Sequence, residues 1–184
     1  MFAATRLAFG LSSGFGQAVE TERAADAGSG GGAAFSTGGG FSERYDMPPW
    51  QQEAVDGFLA TQAGTQSGFN RAGRGYPDIS MVGNKLLVVL DGQLYFVSGT
   101  SAATPIVAVI TARVNLVRES NGLPQLGSLN PTLYAHHGES ASMSLVDITE
   151  GANRCPAPGC RHCVEGFAAA EGWDPVSGLG AVDA

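Results

Sequence analysis

Hydrophobic positions recur along this chain with two different periods, and each period predicts a different element. Over residues 50–60, Val55, Phe58 and Leu59 recur at the spacing of one helix face directly after a pair of prolines, which predicts a helix. Over residues 86–97, two short apolar segments flank an Asp-Gly pair. That dipeptide tolerates the positive φ angles of a two-residue type I′ turn, so the second pattern predicts a β-hairpin.

A longer apolar segment follows the hairpin and carries a serine at its start. Residues 98–105 read Ser-Gly-Thr-Ser-Ala-Ala-Thr-Pro, and they lead into residues 106–117, which are apolar almost all round and are soon followed by an Asn-Gly pair. This pattern predicts a buried helix with Ser101 at its N-terminus. Asn130–Ala135 predicts a further short helix, whereas residues 1–34 show no sustained periodicity.

Composition favours one compact domain, or a large piece of one, with a β-containing or α/β fold. The 184 residues include 27 glycines, about twice the usual share, which indicates many tight turns and close backbone approaches. Seventeen acidic residues against ten basic ones give a formal net charge of −7, and an anionic surface repels nucleic acid. No apolar run reaches the roughly 18 residues of a membrane span, so we expect no membrane association.

Ser101 is the candidate nucleophile of the chain. At a helix start, the macrodipole and free backbone N–H groups stabilise negative charge on a reacting carbonyl, although a serine there can also serve only as a cap. Ala103 stands where a Gly-x-Ser-x-Gly nucleophile elbow needs its second glycine, which disfavours an α/β-hydrolase. His136, His137 and His162 all follow Ser101, so no histidine base precedes the serine as in a subtilisin triad.

A serine peptidase without such a histidine needs a carboxylate base, which works well only near a carboxylate pKa of roughly 4. Several ordered motifs resemble the serine-carboxyl peptidases of the sedolisin family, in particular the tripeptidyl-peptidase type. They lie at residues 38–42, 49–55, 75–78, 98–105, 126–134, 147–151 and 172–180. The resemblance implies a subtilisin-like α/β fold, with a mostly parallel sheet and flanking helices. Residues 35–184 would be the C-terminal part of the catalytic domain, a partial domain, after a poorly defined glycine-rich segment over residues 1–34.

The resemblance implies proteolysis in acid, by a tripeptidyl-peptidase or an endopeptidase, through an acyl-enzyme on Ser101. The family's Glu base, its supporting Asp and its oxyanion Asp have no match in this chain. Glu22 and Asp26 are four residues apart, as on one helix face, but we favour a solvated charged face for them. We therefore expect a peptide or protein substrate, the N-terminal half of the catalytic domain as a partner, and a marginally stable, inactive chain on its own. The alternative is a non-catalytic, degenerate or truncated calcium-binding fragment of the same fold.

Two aspartates in the glycine-rich C-terminal region are candidate ligands of a hard cation. Carboxylates and backbone carbonyls suit Ca²⁺, although the composition of this region equally suits aspartates that only form turns. The resemblance implies one Ca²⁺ ion, held by the carboxylates of Asp147 and Asp174 and by the carbonyls of Ile148, Ala170 and Gly172. Ala170 stands where the family has a glycine, and the ligand survives this change unless the backbone there requires a positive φ.

Three cysteines crowd into nine residues, and their number is odd. Cys155, Cys160 and Cys163 beside His162 are a ligand set for zinc, but adjacent residues seldom converge on one tetrahedral ion. Reduced surface thiols are another possibility. Tripeptidyl-peptidase-type relatives carry cysteines in this loop, so the resemblance favours disulfides, one with a partner outside this sequence, and a secreted or lysosomal/vacuolar parent protein. The first ten residues are a poor signal peptide, so either the protein is cytosolic or its natural beginning is missing.

Overall fold

The computed structural model of the protein describes residues 3–6, 22–26, 33, 35–61, 64, 66–136, 145–154 and 166–182. Within these residues the helices are a 3₁₀ turn (Pro49–Gln51), α1 (Gln52–Ala60), α2 (Thr100–Ser120) and α3 (Asn130–Ala135). The strands are β1 (Ala3–Arg6), β2 (Arg23–Ala24), β3 (Gly40–Asp46), β4 (Gly73–Tyr76), β5 (Ser80–Val82), β6 (Leu86–Leu90), β7 (Gln93–Val97), β8 (Leu145–Val146) and β9 (Ala181–Val182).

A five-stranded sheet with the order β2-β1-β5-β9-β8 holds distant parts of the chain together. Its three middle strands are parallel: Ala3 of β1 lies opposite Ser80 of β5, and Ser80 lies opposite Ala181 of β9. Strands β2 and β8 close the two edges in antiparallel orientation. The expected parallel pairing is therefore found in the three middle strands. These strands are far apart in sequence, as parallel pairing requires.

The hairpin and the helices that the sequence predicts are confirmed. Asp91 and Gly92 connect β6 to β7 with φ angles of 51° and 75°, the positive values that a type I′ turn requires. The 3₁₀ turn and α1 cover the helix predicted over residues 50–60. Helix α2 includes Ser101 and is followed by Gly122, whose φ is 70°, and α3 has the predicted bounds.

Aromatic side chains form the centre of the main hydrophobic core. Trp173 is buried against Phe58 of α1, with ring centroids 5.9 Å apart and edge-to-face geometry. Phe41 of β3 lies at the same centroid distance of 5.9 Å from Trp173. A Cβ atom on Gly75 of β4 would lie 2.5 Å from the Trp173 ring, so only glycine fits at this position beside the indole.

Helix α2 is mostly exposed, and the prediction that it is a buried helix is wrong for this chain. Only Ala103 and Val107 are buried in it, on the face that contacts β1 and β5. Val109, Leu116 and Val117 are 59%, 65% and 62% exposed. An apolar sequence shows which residues can be buried, but burial also needs a second surface, and the described part of the chain covers one face of α2.

By length and composition alone, α2 is apolar enough to cross a membrane. Its most apolar 18-residue window has a mean hydropathy of 1.4, and 11% of that window is buried. Polar residues interrupt every run of apolar residues, which is why a search for uninterrupted runs in the sequence misses this helix. The core helix of a soluble protein passes the same test, and α2 packs on the central sheet.

Candidate active site

Ser101 is an exposed residue in the first turn of α2. Gly99 begins the helix with a φ of 146°, a value that favours glycine, and its carbonyl accepts hydrogen bonds from Ala102 N–H (2.9 Å) and Ala103 N–H (3.3 Å). Among the described residues, the Ser101 hydroxyl has no hydrogen-bond partner. The position therefore combines an accessible hydroxyl with the positive end of a 21-residue helix.

Ser98, the other serine of this segment, is held by the loop between β5 and β6. Its hydroxyl donates to Asn84 Oδ1 at 2.9 Å and accepts from Lys85 N–H at 2.8 Å. One residue further on, Gly99 N–H donates to Gly83 C=O at 2.7 Å. The Ser98 hydroxyl thus both donates and accepts a hydrogen bond within the fold, which favours Ser101, whose hydroxyl has no partner among the described residues, as the nucleophile.

Glu22 and Asp26 are not on a helix. They flank the two-residue strand β2 at one edge of the central sheet, where Ala24 N–H donates to Glu150 C=O at 2.9 Å. Asp26 is 2% exposed. The interpretation of a solvated charged face is therefore wrong for Asp26, because the chain after β2 packs against other segments, as the hydrogen bond from Thr37 N–H to Ala25 C=O at 2.9 Å shows.

Most of the histidine and cysteine candidates lie outside the described residues. These are Cys155, Cys160, Cys163, His137 and His162. His136 is described, and it is an exposed residue directly after α3. The zinc, disulfide and free-thiol alternatives for the cysteine loop therefore stay predictions.

Asp174 is a fully buried carboxylate surrounded by donors of its own loop. Its Oδ1 accepts from Val176 N–H (2.8 Å) and from the N–H (2.7 Å) and hydroxyl (3.1 Å) of Ser177, and its Oδ2 accepts from Ala170 N–H (2.8 Å). Burial raises the pKa of Asp174 from 3.8 to about 6, and the hydrogen bonds oppose this shift only in part. A bound cation would favour the charged form of this carboxylate.

The other candidate metal ligands lie around the same loop. Asp147 Oδ2 accepts a hydrogen bond from Gly172 N–H at 2.8 Å, and Gly172 has a φ of 80°, which favours glycine. Ile148 is fully buried, and its carbonyl oxygen lies 3.4 Å from the Ser177 hydroxyl. Ala170 is not among the described non-glycine residues with a positive φ, so alanine fits where the family has glycine.

The chemistry of these groups fits a hard cation. Two carboxylates and three backbone carbonyls are the oxygen ligands that Ca²⁺ prefers, and a loop of small residues can bring them together. In the described part of the chain, no group of three or more His, Cys, Asp or Glu side chains could hold a metal. A cation at this loop would therefore depend on the backbone carbonyls as well as on the two aspartates.

A buried polar network, which the sequence alone does not indicate, joins three of the motifs. Asp78 forms an ion pair with Arg74 and accepts hydrogen bonds from the Tyr134 hydroxyl at 2.9 Å and Asn130 Nδ2 at 3.2 Å. Gln51 Nε2 donates to the Tyr134 hydroxyl at 2.7 Å. Burial and the nearby Asp78 charge raise the pKa of Tyr134 well above its usual value. The network therefore joins residues of three separate motifs by direct hydrogen bonds.

A serine at the start of a helix that packs on parallel strands is compatible with a subtilisin-like α/β fold. Comparison with solved structures agrees, because the chain matches Pseudomonas sedolisin, a serine-carboxyl proteinase, with a TM-score of 0.63 and 29% identity. The match covers 89% of this chain and 39% of the sedolisin chain. It confirms the expected fold class.

Sequence comparisons point to the same family, although no protein-family model matches the chain. It is 37% identical to tripeptidyl-peptidase sed1 of Aspergillus fumigatus, over 79% of this chain and 23% of that protein. It is 38% identical to physarolisin of Physarum polycephalum and 41% identical to tripeptidyl-peptidase 1 of Mus musculus, over 80% and 79% of this chain and 26% of each relative. The chain belongs to the sedolisin family of serine-carboxyl peptidases, and it spans about a quarter of the length of these curated relatives.

Proposed function

We propose that the protein containing this chain is a serine-type peptidase that cleaves peptide bonds in acid, with Ser101 as its nucleophile. The observation that carries the proposal is an exposed serine in the first turn of α2, in a chain homologous to tripeptidyl-peptidases. Ser101 Oγ attacks the scissile carbonyl while its proton passes to a carboxylate base. The N–H groups of the helix start stabilise the oxyanion. The amine then leaves with a proton, and water hydrolyses the ester on Ser101.

The base belongs to a part of the catalytic domain outside this chain. A carboxylate accepts the serine proton efficiently only near its own pKa, so activity should be highest in acid. The substrate is a peptide or protein, and removal of N-terminal tripeptides is the specificity that the names of two relatives suggest. Cleavage of a free tripeptide amide, but not of its N-blocked form, would support the tripeptidyl-peptidase over the endopeptidase alternative.

Replacing the nucleophile tests the activity directly. In the full-length parent, Ser101→Ala should lower kcat by at least about 1,000-fold while the melting temperature stays within a few degrees, because only the attacking oxygen is lost. Ser120→Ala, at the other end of α2, is the matched control and should keep full activity. A peptide aldehyde should form its adduct on Ser101. An adduct on Ser98, or an active Ser101→Ala variant, would contradict the assignment.

We also propose one Ca²⁺ ion at the loop over residues 170–174. The Asp147 and Asp174 carboxylates and the Ile148, Ala170 and Gly172 carbonyls would hold it. Support comes from the convergence of both carboxylates on this loop and from the complete burial of Asp174. When bound, the ion would neutralise the aspartates and fix the loop, and no step of peptide cleavage needs it.

We propose that the rest of the catalytic domain is the partner that covers the exposed apolar residues of this chain. Leu94 and Phe96 of β7 are 67% and 73% exposed, and they lie in the separate two-stranded sheet of β6 and β7. Val109, Leu116 and Val117 of α2 are exposed as well, and a soluble protein rarely leaves large apolar patches uncovered. For the parent protein we propose a secreted or lysosomal/vacuolar location, in line with its peptidase relatives.

A non-catalytic calcium-binding fragment of the same fold is the second candidate. One observation favours it: the Glu, Asp and oxyanion Asp of the family have no match in this sequence. The parent sequence distinguishes the two candidates, because an active peptidase needs a Glu-x-x-x-Asp helix and an oxyanion Asp upstream of this chain. Their absence there would favour the fragment.

A further inference from the structure

Asn84 has a buried side chain that the proposed peptidase reaction does not use. It lies in the loop between β5 and β6, and it is 4% exposed. Its Oδ1 accepts the hydrogen bond of the Ser98 hydroxyl, whereas its Nδ2 is buried without a hydrogen-bond partner among the described residues. A buried amide NH₂ group without a partner costs stability. The stabilising contact of this side chain is therefore the hydrogen bond that its Oδ1 accepts from Ser98.

The groups held by this loop directly precede the candidate nucleophile. Asn84 Oδ1 fixes the Ser98 hydroxyl, and Lys85 N–H donates to the same hydroxyl. The Gly83 carbonyl accepts from Gly99 N–H at 2.7 Å. These three hydrogen bonds tie the β5–β6 loop to the two residues that connect β7 to α2.

A displacement of these two residues would move the start of α2. The Gly99 carbonyl accepts from Ala102 N–H and Ala103 N–H, so the position of Gly99 fixes the first helical turn and the backbone of Ser101. Lys85 has a φ of 55°, a left-handed conformation that a residue with a side chain rarely adopts, and its N–H is part of the same set of bonds. The loop is therefore held in one conformation at the point where it supports the turn.

We propose that Asn84 is a positioning residue for Ser101, which acts through Ser98 and Gly99. This inference rests on the proposed peptidase function. The hydrogen bond of the Asn84 side chain goes to Ser98 and not to Ser101. It holds the turn so that the Ser101 hydroxyl and the free N–H groups of α2 keep the geometry that attack on a carbonyl needs, and a misplacement of about 1 Å costs on the order of 100-fold in rate.

The test compares variants of the full-length parent in steady-state hydrolysis of a peptide substrate. Asn84→Ala and Ser98→Ala should each lower kcat about 100-fold with KM nearly unchanged, because both free the same turn. The double variant should lose no more than either single variant, because the two residues act through one hydrogen bond. Asn84→Asp keeps an oxygen in the place of Oδ1 and should restore most of kcat.

Matched controls separate positioning from loss of fold. Asn115→Ala removes a comparable hydrogen bond, from Leu126 N–H to Asn115 Oδ1 at 2.9 Å, elsewhere on α2, and should keep kcat. Should Asn84→Ala fail to fold, Ser98→Ala and Asn84→Asp carry the test. Wild-type kcat in Ser98→Ala, or losses of the two single variants that multiply in the double variant, would overturn the proposal.

The failure of the proposed function would give a different result. If the wild-type parent neither hydrolyses peptides nor reacts with the aldehyde, the peptidase proposal fails first. Hydrogen exchange then tests the hydrogen-bonded loop by itself. The Gly99 and Ala102 amides should exchange at least tenfold faster in Ser98→Ala than in Ser120→Ala, and equal rates would overturn the positioning role.

Discussion

Asp174 shows at the scale of one residue how burial and hydrogen bonding oppose each other. Four donor groups face its carboxylate, and hydrogen bonds to a charged carboxylate normally lower its pKa. The pKa nevertheless rises to about 6, because complete burial removes more solvation than the donors replace. Without a cation, the charged form of Asp174 is therefore a cost to the folded state above this pH.

Asp174 leads to a prediction about calcium and pH. The pKa of Asp174 is higher in the folded chain than its ordinary value of 3.8. In EDTA, the contribution of Asp174 to the free energy of unfolding is therefore complete below pH 3.8, and it is lost as the pH rises to about 6. The loss is on the order of 3 kcal/mol. At neutral pH, a Ca²⁺ concentration of about 100 times Kd should raise the free energy of unfolding by about 2.7 kcal/mol.

Urea unfolding of the wild-type chain and of Asp174→Asn, followed by tryptophan fluorescence at pH 4 and pH 7, checks this. Asparagine cannot titrate and binds Ca²⁺ poorly, so the variant should lose both the pH dependence and the calcium response. Mg²⁺ should stabilise the wild type less, because it requires a stricter octahedron. A folded wild-type sample with the same unfolding midpoint in EDTA and in millimolar Ca²⁺ would refute the site.

At the scale of elements, glycine has opposite effects in the hairpin and in α1. Gly92 closes the β6–β7 turn with a φ of 75°, and a Cβ atom added there would meet no other atom within 4 Å. Gly57 lies inside α1, and open space also surrounds it. Because neither position is crowded, the backbone conformation alone decides what a methyl group does at each of them.

The same substitution should therefore have opposite signs at these two glycines. Gly92→Ala should lower the free energy of unfolding by about 1–2 kcal/mol, because alanine is strained at a positive φ. Gly57→Ala should raise it by about 0.5–1 kcal/mol, because alanine loses less conformational entropy in a helix. Chemical unfolding of both variants beside the wild type measures the difference, and equal shifts would show that the turn does not need its positive φ.

The elements that could be predicted are those whose signals lie in residues close together in the sequence. The turn at Asp91 and the helix spacing of Val55 and Phe58 are local signals, so the hairpin and α1 could be predicted. The central sheet could be expected only from the family resemblance, because its parallel strands β5 and β9 have three and two residues and pair across the length of the chain. A two-residue strand has no periodicity to read.

The residues of the candidate site also fall into two groups, those that sequence motifs indicate and those that only the structure shows. Ser101 and the five proposed calcium ligands were identified because their motifs stand in a recognisable order. Asn84 and the Asp78 network were missed because their roles come from partners elsewhere in the chain, such as Ser98 and Tyr134. Only the folded structure shows that Asn84 is hydrogen-bonded to Ser98, in the segment before the candidate nucleophile.

At the scale of the whole molecule, the described part of the chain leaves the apolar residues of two elements exposed. Every residue of β7 is exposed, and α2 buries one face only. The solved sedolisin chain is larger, since this chain covers 39% of it. Marginal stability of the chain on its own stays a prediction, and the reason for it is that the apolar surface of these elements gains nothing from burial within the described part of the chain.

The last prediction concerns Phe96, because the environment of this side chain should differ between the chain alone and the parent protein. It is 73% exposed here. In the isolated chain, Phe96→Ala should change the free energy of unfolding by less than about 0.5 kcal/mol and should reduce aggregation. In the parent, where we propose that the rest of the domain covers β7, the same change should cost roughly 3–5 kcal/mol. Tyr45→Ala, at a 64% exposed position on β3, is the control for general loss of an aromatic side chain. Equal effects of Phe96→Ala in both proteins, measured by urea unfolding, would show that β7 stays uncovered in the parent.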